Sequence, residues 1–310
     1  MDEWGPEQAG ELTALVAAAM PDEDLTLDEL LAVCWEDPGP ERPAEVGVVL
    51  ATPTGDGAVA VVIRSFGVAP DDVRLAFVKI VVVHPDARRQ GIGHALLDAA
   101  EQWSWAHGAT ELHLSGSAPF YVWPGVDATA TEMLCLAESR GYRLTGSDIN
   151  MALSTEYRAA PPEGVTIRRV MDDADVVMVD RLLEAQWPEW IAETHRAIEQ
   201  GCCHAAFVPD PGGDGPLRTA DPGPDDVPER VIGFACHSVN RSGWLGPMGT
   251  DPERRAAGVG NALLGQVCRD LMIADFTHTE ISWVGPIRFY AKAGATVSRV
   301  FRQYRLRRPS

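Results

Sequence analysis

Two short glycine-containing stretches of this chain have the residue types that bind phosphate groups. They read Arg88-Arg89-Gln90-Gly91-Ile92-Gly93 and Arg255-Ala256-Ala257-Gly258-Val259-Gly260. Each pair of glycines stands where an apolar strand gives way to an amphipathic helix, so free backbone N–H groups and the positive end of the helix dipole converge there. Glycine lets an anion approach the main chain, and the preceding arginine adds charge-assisted hydrogen bonds. The two stretches therefore predict two sites for a pyrophosphate group.

The two stretches belong to a longer internal repeat. The segment VVVHPDARRQGIGHALL, from Val81 to Leu97, aligns without a gap with MGTDPERRAAGVGNALL, from Met248 to Leu264. Gly91 and Gly258 are 167 residues apart in a chain of 310, so the offset is close to half its length. We infer a duplication, with domains at residues 1–153 and 165–310 and a linker at 154–164 that is rich in proline and small residues.

The hydrophobic periodicity predicts a similar order of elements in both halves. In the first half it predicts helices at 7–20 and 27–34 and strands at 46–51, 59–64 and 76–83. In the second half it predicts strands at 165–170, 203–208, 231–237, 243–250 and 279–284, and helices at 172–185 and 187–200. This order is typical of an α/β fold with a mixed sheet and helices on its faces. The first half shows no clear strand before its first helix, so its sheet is either shorter or completed by another segment. The polar loop 209–229 is predicted to be mobile.

The glycine stretches resemble the R/Q-x-x-G-x-G/A signature of the GCN5-related N-acetyltransferases (the GNAT superfamily), which cradles the pyrophosphate of acetyl-CoA. The resemblance implies a tandem two-domain member, with acetyl-CoA as co-substrate and direct transfer of the acetyl group to a primary amine of a small molecule, such as an amino sugar or an antibiotic. It assigns cofactor binding to Arg88, Arg89, Gln90, Gly91, Ile92, Gly93 and His94, and to Arg255, Ala256, Ala257, Gly258, Val259, Gly260 and Asn261. It also implies that main-chain groups of Val81 and Val83, and of Met248 and Thr250, bind the pantetheine arm.

The resemblance extends further in the second half. The stretch GPIRFYAKAG, from Gly285 to Gly294, resembles the FYxKxGF element of the family, which implies that Tyr290 protonates the departing thiolate. A packing role for Tyr290 is equally compatible with the sequence. The first half has Ala137 at the corresponding position. We therefore predict that the C-terminal domain is catalytic and that the N-terminal domain is degenerate or structural.

Two residues of the second half are candidates for the general base, because family members often use a Glu, Asp or His on a central strand. They are His237, on the strand before the glycine stretch, and Glu280, on the strand after it. Each is also compatible with an exposed strand face.

Two aromatic segments leave alternatives open. In Trp187-Pro188-Glu189-Trp190 the rings either bind a cationic amine or pack into the core, and we favour packing. The segment 119–127 is either a loop that faces the substrate or an aromatic plug over the core, and we favour the plug.

The composition excludes several classes of partner. A net charge of −19 opposes binding to nucleic acid and to anionic membranes, and it favours a cationic acceptor. The arginines of 299–308 either offset the acidic remainder or frame an anionic cofactor. Six cysteines and eight histidines lack metal-ligand spacing, so we expect no metal. The acidic N-terminal residues have neither a basic region nor an apolar one, so we expect a cytoplasmic protein.

Other interpretations keep the same fold. A non-catalytic acyl-CoA-binding or regulatory protein would retain the phosphate sites and lack a base. An aminoacyl-transferase that uses charged tRNA is disfavoured by the acidic charge and by the intact CoA signature. Families such as mycothiol synthase pair one active domain with a second copy, and some antibiotic-modifying acetyltransferases use the second copy for binding or dimerisation. A homodimer therefore stays open.

Overall fold

The computed structural model describes residues 1–36, 46–66, 73–114, 116–211, 227–254 and 258–309. The chain forms two compact units. The first unit comprises Met1–Ile149 together with Arg299–Ser310, and the second comprises Asn150–Ser298. The sequence-based division assigned 299–310 to the C-terminal domain, whereas these residues make their contacts in the first unit.

The elements follow one another in both units much as the periodicity predicts. The strands are β1 (Asp2–Trp4), β2 (Val46–Ala51), β3 (Gly57–Phe66), β4 (Val73–Val83), β5 (Glu111–Leu114), β6 (Val126–Asp127), β7 (Arg143–Ser154), β8 (Thr166–Arg169), β9 (Cys203–Pro209), β10 (Glu229–His237), β11 (Trp244–Thr250), β12 (His278–Ile281) and β13 (Thr296–Arg307). The helices are α1 (Ala9–Ala19), α2 (Leu27–Trp35), α3 (Ile92–Ala106), α4 (Thr131–Ser139), α5 (Asp173–Gln186), α6 (Ile191–Glu199), α7 (Val259–Ile273) and α8 (Ile287–Lys292).

The strands of the first unit follow the order β1-β2-β3-β4-β5-β13. Only the β4–β5 pair among these neighbours is parallel. The short strand β1, which the periodicity missed because it has three residues, pairs with β2. The last strand, β13, pairs with β5 and buries Tyr304 in the core of this unit. The sheet of the first half is thus completed by another segment, one of the two alternatives that the sequence left open.

A β-bulge in β4 changes which residues of this strand face each layer of helices. Ala60 of β3 pairs with Ile80 and the next residue, Val61, pairs with Val78, so Lys79 is the extra residue. An extra residue reverses the alternation of side chains along a strand. Val78 accordingly packs in the cluster that includes residues of α3, whereas Ile80 packs with residues of α1 and α2.

The second unit has the strand order β7-β12-β11-β10-β9-β8, again with one parallel pair, β11–β12. Helix α5 begins after Asp172, whose side chain accepts a hydrogen bond from the Asp175 N–H. The helix predicted at 187–200 is divided into a 3₁₀ turn at Pro188–Trp190 and α6. Most of the loop predicted at 209–229 lies outside the described residues.

Candidate functional site

The strands β4 and β5 of the first unit separate beside the bulge at Lys79. Among the described residues, their ladder ends at the pair Phe77–His113. A cavity of about 340 Å³ opens beyond this point and includes Val78–Val81 and Leu114 in its wall. Because the β4 edge has no ladder to β5 beyond Phe77, its main chain can hydrogen-bond an extended ligand in the manner of an added strand.

The phosphate-binding loop of the first unit leads from β4 into α3. Gly91 caps the helix with φ of +85°, a left-handed conformation that favours glycine, and no side chain caps the first turn. No described atom lies within 4 Å of the place where a Cβ of Gly91 would stand. The uncapped N–H groups at the start of α3 are therefore accessible to an anion.

The side chains beside Gly91 brace this loop. The Arg88 guanidinium donates to the carbonyls of Ala19, at 2.8 Å, and Val83, at 3.3 Å. Gln90 donates to the Asp86 carbonyl, and the His94 carbonyl accepts from Arg140. Arg88 thus ties the loop to the ends of α1 and β4, a role that the sequence motif did not reveal.

Charged side chains line the end of the cavity next to α1. The Arg299 guanidinium lies between Glu23, at 2.6 Å, and Asp127, at 2.8 Å. Burial alone would raise the pKa of Asp127, but hydrogen bonds from Thr129 and Arg299 outweigh it and hold this pKa below its ordinary value. The Lys79 ammonium donates to the carbonyls of Val33 and Phe120, both at 2.9 Å.

The aromatic segment 119–127 combines features of both sequence-based alternatives. Phe120, Tyr121 and Val122 are buried, as a plug over the core would be. Trp123 and Asp127 line the cavity, as residues of a substrate-facing loop would.

The second glycine stretch starts a helix in the same way, and its first glycine has a neighbouring side chain where Gly91 has none within 4 Å. Gly258 caps α7 with φ of +102°, and a Cβ there would lie 3.4 Å from Pro162. A Cβ on Gly260 would lie 3.1 Å from the ring of Phe289. The predicted binding residues Arg255, Ala256 and Ala257 lie outside the described residues.

The strand before this stretch is covered by aromatic side chains. The Trp187 ring lies so close to Gly249 of β11 that a Cβ there would come within 2.7 Å of it. Trp187 and Trp190 are stacked with ring centroids 5.4 Å apart, and the edges of both meet Phe234, at 6.0 and 6.3 Å. These contacts are those of the packing alternative.

Of the predicted catalytic residues, Tyr290 is buried and Glu280 is hydrogen-bonded within the second unit. Tyr290 is 7% exposed, and burial raises its pKa to about 12. A carboxylate oxygen of Glu280 accepts a hydrogen bond of 2.8 Å from Asn150, which itself accepts from the Trp283 N–H. The catalytic roles of Tyr290 and Glu280 stay predictions.

The third candidate, His237, belongs to a buried charge cluster. Asp270 of α7 places one carboxylate oxygen 2.8 Å from His204, 3.4 Å from His237 and 2.6 Å from Arg169. Burial alone would lower the pKa of His237, but Asp270 and Cys202 raise it above its ordinary value. Burial alone would raise the pKa of Asp270, but its partners hold it far below the ordinary range. The ring of His237 therefore contributes to the core electrostatics of the second unit.

The remaining strand residues predicted to bind pantetheine lie where the motif placed them. Val81 and Val83 follow the bulge in β4, and Val81 lines the cavity. Met248 and Thr250 lie in β11, opposite Ala235 and Gly233 of β10. Sequence reasoning missed Lys79 and Glu23, although a lysine within the apolar run RLAFVKIVVV was a signal for the first. It considered the segment 119–127, which contains Asp127, and the arginines of 299–308, but no local pattern joins Glu23, Asp127 and Arg299.

The described part of the chain contains neither a metal-binding cluster nor a membrane-spanning helix. No group of three or more His, Cys, Asp or Glu is arranged to hold a metal ion. No helix there combines the length and apolar character needed to cross a bilayer.

Comparisons with known proteins identify the class to which this fold and loop belong. Residues 32–122 match the family described as "Acetyltransferase (GNAT) domain". An aminoglycoside N(6')-acetyltransferase type 1 of Klebsiella aerogenes is 40% identical over 72 residues, which are 23% of this chain and 47% of that protein. The chain thus spans about half the length of this curated relative.

Solved structures extend the similarity of fold to the whole chain. A tandem GNAT protein of the clavulanic acid biosynthesis pathway matches with a TM-score of 0.66 and 17% identity, over 99% of this chain and 98% of that one. A GCN5-related N-acetyltransferase of Sphaerobacter thermophilus matches with a TM-score of 0.61 and 21% identity, over 99% and 95%. A GCN5-related glucosamine N-acetyltransferase region of a fungal multi-domain β-N-acetylglucosaminidase gives 0.70 and 18%, over 98% of this chain and 38% of that one. The chain therefore contains a GNAT-family acetyltransferase domain and has the tandem GNAT fold.

Proposed function

We propose that this protein is an acetyl-CoA-dependent N-acetyltransferase whose working site lies in the first unit. The loop at Gly91 would bind the pyrophosphate, and the β4 edge beyond Phe77 would hydrogen-bond the pantetheine arm. The acetyl group would then lie in the cavity beside the bulge at Lys79. An amine nitrogen placed there, once it has given up its ammonium proton to solvent, attacks the acetyl carbonyl carbon. The C–N bond forms as the C–S bond breaks, the nitrogen loses a second proton to become an amide, and coenzyme A takes up one proton and leaves as the free thiol.

The observation that carries this proposal is the cavity of about 340 Å³ beside the opening between β4 and β5, a size suited to a small ligand. Val78–Val81 of β4 form part of its wall, and the same strand leads into the accessible helix N-terminus at Gly91. The family match at residues 32–122 covers β4 and the glycine loop of this unit. This proposal departs from the sequence-based prediction, which favoured the C-terminal domain on the strength of Tyr290.

The acceptor that fits the cavity best is a small cationic amine. The cavity wall includes three carboxylates, Asp22, Glu23 and Asp127, and two cations, Lys79 and Arg299, which leaves one net negative charge. An ammonium group is attracted to such a site. Relatives named for aminoglycoside and glucosamine acetylation support an amino sugar as the acceptor class.

We assign the second unit a non-transferring role. Its aromatic side chains cover the strand that precedes its glycine stretch, and its candidate catalytic groups are packed or hydrogen-bonded within the unit. The sequence also allowed a non-catalytic acyl-CoA-binding or regulatory protein. We apply that interpretation to the second unit only.

The proposal is tested by measuring thiol release from acetyl-CoA with glucosamine and with kanamycin A, followed by mass spectrometry of the products. N-acetylglucosamine is the matched control, because its amine is already blocked. We expect release that depends on a free amine and a product that carries an added acetyl group. Release that is equal with and without the amines, or the absence of acetyl-CoA binding in calorimetry, would refute the proposal.

A further inference from the structure

Arg299 joins two parts of the first unit that are remote in sequence. Its Nη1 and Nη2 donate to the two carboxylate oxygens of Glu23, at 3.1 and 2.6 Å, across a separation of 276 residues. Its Nε donates to Asp127 at 2.8 Å, across 172 residues. The pairing with Glu23 is of the two-pronged kind that fixes both position and orientation of a carboxylate.

The surroundings make this contact stronger than an ordinary surface ion pair. The side chains of Arg299, Glu23 and Asp127 are 24%, 16% and 18% exposed, so water screens them only in part. The guanidinium also lies 5.0 Å from the centre of the Phe301 ring. Burial alone would lower the pKa of Arg299, but its two carboxylate partners raise it above the ordinary value.

The carboxylates come from the two segments that bound the cavity next to α1. Glu23 ends the 3₁₀ turn Pro21–Glu23, which follows α1, and Asp127 ends β6. All three charged residues line the cavity. Without the guanidinium, two carboxylates would face each other, and their mutual repulsion would drive the turn and β6 apart.

We propose that Arg299 is a positioning residue for the acceptor. It holds Glu23 and Asp127 as a fixed pair and cancels one of their two charges, so that the pair presents one negative charge to the ammonium group of the incoming amine. The last strand of the chain thereby completes the acceptor end of the site. This inference rests on the function proposed for the first unit.

The test separates the affinity for the amine from the chemistry and from acetyl-CoA binding. In Arg299→Met we expect the KM for glucosamine, or for kanamycin A if that is the better acceptor, to rise about tenfold. The kcat is expected to stay within threefold and the Kd for acetyl-CoA within twofold. Arg299→Lys keeps the charge but loses the fork, so it should recover only part of the amine affinity and lie between the wild type and Arg299→Met.

Two further variants keep the test decisive. Glu23→Gln preserves the shape of the side chain and removes one arm of the pair, so it should raise the same KM even if Arg299→Met fails to fold. Arg307→Met is the matched control, because Arg307 lies on the same strand, is exposed and pairs with Glu111. It should change none of the three constants.

The outcomes distinguish this inference from the proposed function. If the wild-type protein fails to bind acetyl-CoA or to acetylate any amine of the panel, the proposed function falls, and the role of Arg299 with it. If the wild type acetylates an amine, but Arg299→Met and Glu23→Gln leave the KM for that amine unchanged, the positioning role is wrong and the proposed function stands. A parallel loss of kcat and acetyl-CoA affinity also overturns it, because Arg299 would then support the whole unit.

Discussion

The two units diverge most at the place where the acceptor would bind, although both keep the duplicated framework. The turn Pro21–Glu23 and the turn Pro188–Trp190 are separated by the same 167 residues as Gly91 and Gly258. Helices α3 and α7 keep that offset at both ends. At equivalent positions, however, the first unit has Met20 and Glu23 in the wall of a cavity, and the second has the stacked pair Trp187 and Trp190.

The strands before the two glycine loops also differ, both in the backbone N–H groups that they offer and in the side chains packed against them. Ile80 corresponds to Pro247, which has no N–H to donate, and Val82 corresponds to Gly249, against which the Trp187 ring packs. The left-handed glycine at the start of the helix is retained in both units, since the chain must make that turn whether or not a ligand binds. The comparison teaches that the glycine motif reports the fold, whereas the neighbouring strand and turn determine which side chains lie beside the strand that precedes the loop.

The largest expected effect comes from placing a negative charge in the glycine loop of the first unit. Gly91→Asp should weaken acetyl-CoA binding about 1,000-fold, or about 4 kcal/mol, because a carboxylate would repel the pyrophosphate at the helix N-terminus. Aspartate tolerates the left-handed conformation better than most residues, so the fold should persist. Calorimetry should find one site per wild-type chain.

Gly258→Asp is the matched control for that substitution. It should leave the acetyl-CoA affinity within twofold. If Gly258→Asp loses acetyl-CoA binding and Gly91→Asp does not, the acetyl-CoA site lies in the C-terminal domain, as the sequence predicted.

A second prediction concerns the stability of the second unit. Asp270→Asn should lower the free energy of unfolding by about 2 kcal/mol near pH 6, since it removes the carboxylate from a partly buried cluster with His204, His237 and Arg169, of which Arg169 is screened by solvent. Urea unfolding at several pH values measures it, and the rate of acetyl transfer should not change.

The sign of the pH dependence follows from the two pKa shifts. The pKa of Asp270 is lowered by folding, so its contribution is present above the unfolded pKa, about 3.9, and is lost as the pH falls through the folded value. The pKa of His237 is raised by folding, so its contribution is present below about 6.5 and is lost as the pH rises through the folded value. The difference in unfolding free energy between wild type and Asp270→Asn should thus be largest between these two pH limits. A difference that does not vary with pH would contradict the claim that the charged forms of Asp270 and His237 stabilise each other.

A third prediction transfers a side chain from the second unit to the first. Met20→Trp should fill part of the cavity and lower kcat/KM for the amine about 30-fold, or about 2 kcal/mol, with acetyl-CoA binding retained. Met20→Leu, which nearly conserves volume, should stay within threefold. Equal activity in the two variants would mean that the acceptor does not enter by this end of the cavity.

The smallest effect is expected at Tyr290. Tyr290→Phe should change kcat less than twofold, because the hydroxyl belongs to a buried side chain of the unit to which we assign no transfer. Steady-state kinetics at saturating acetyl-CoA measure it. A tenfold fall in kcat with an unchanged Kd for acetyl-CoA would indicate that Tyr290 is the catalytic acid. It would contradict the assignment of acetyl transfer to the first unit alone.

The sequence by itself determined the duplication, the mixed α/β fold and the two glycine loops. These features depend on local signals, such as the strand that ends in R-x-x-G-x-G and the apolar stripe of the following helix, and the structure has them in the predicted places. The strand β2 agrees with the prediction at both ends, because a short, β-branched apolar run that ends before a Pro- and Gly-containing turn suffices to define it.

Only the tertiary structure decided which residues line the cavity of the first unit. Glu23, Asp127 and Arg299 are separated by up to 276 residues and meet because β13 pairs with β5 and β6. Likewise, Trp187 and Gly249 are ordinary residues in the sequence, and their contact depends on how a turn lies over a strand. Periodicity encodes the face that a residue occupies, but a contact between distant segments is set by packing of the whole unit, which no local pattern records.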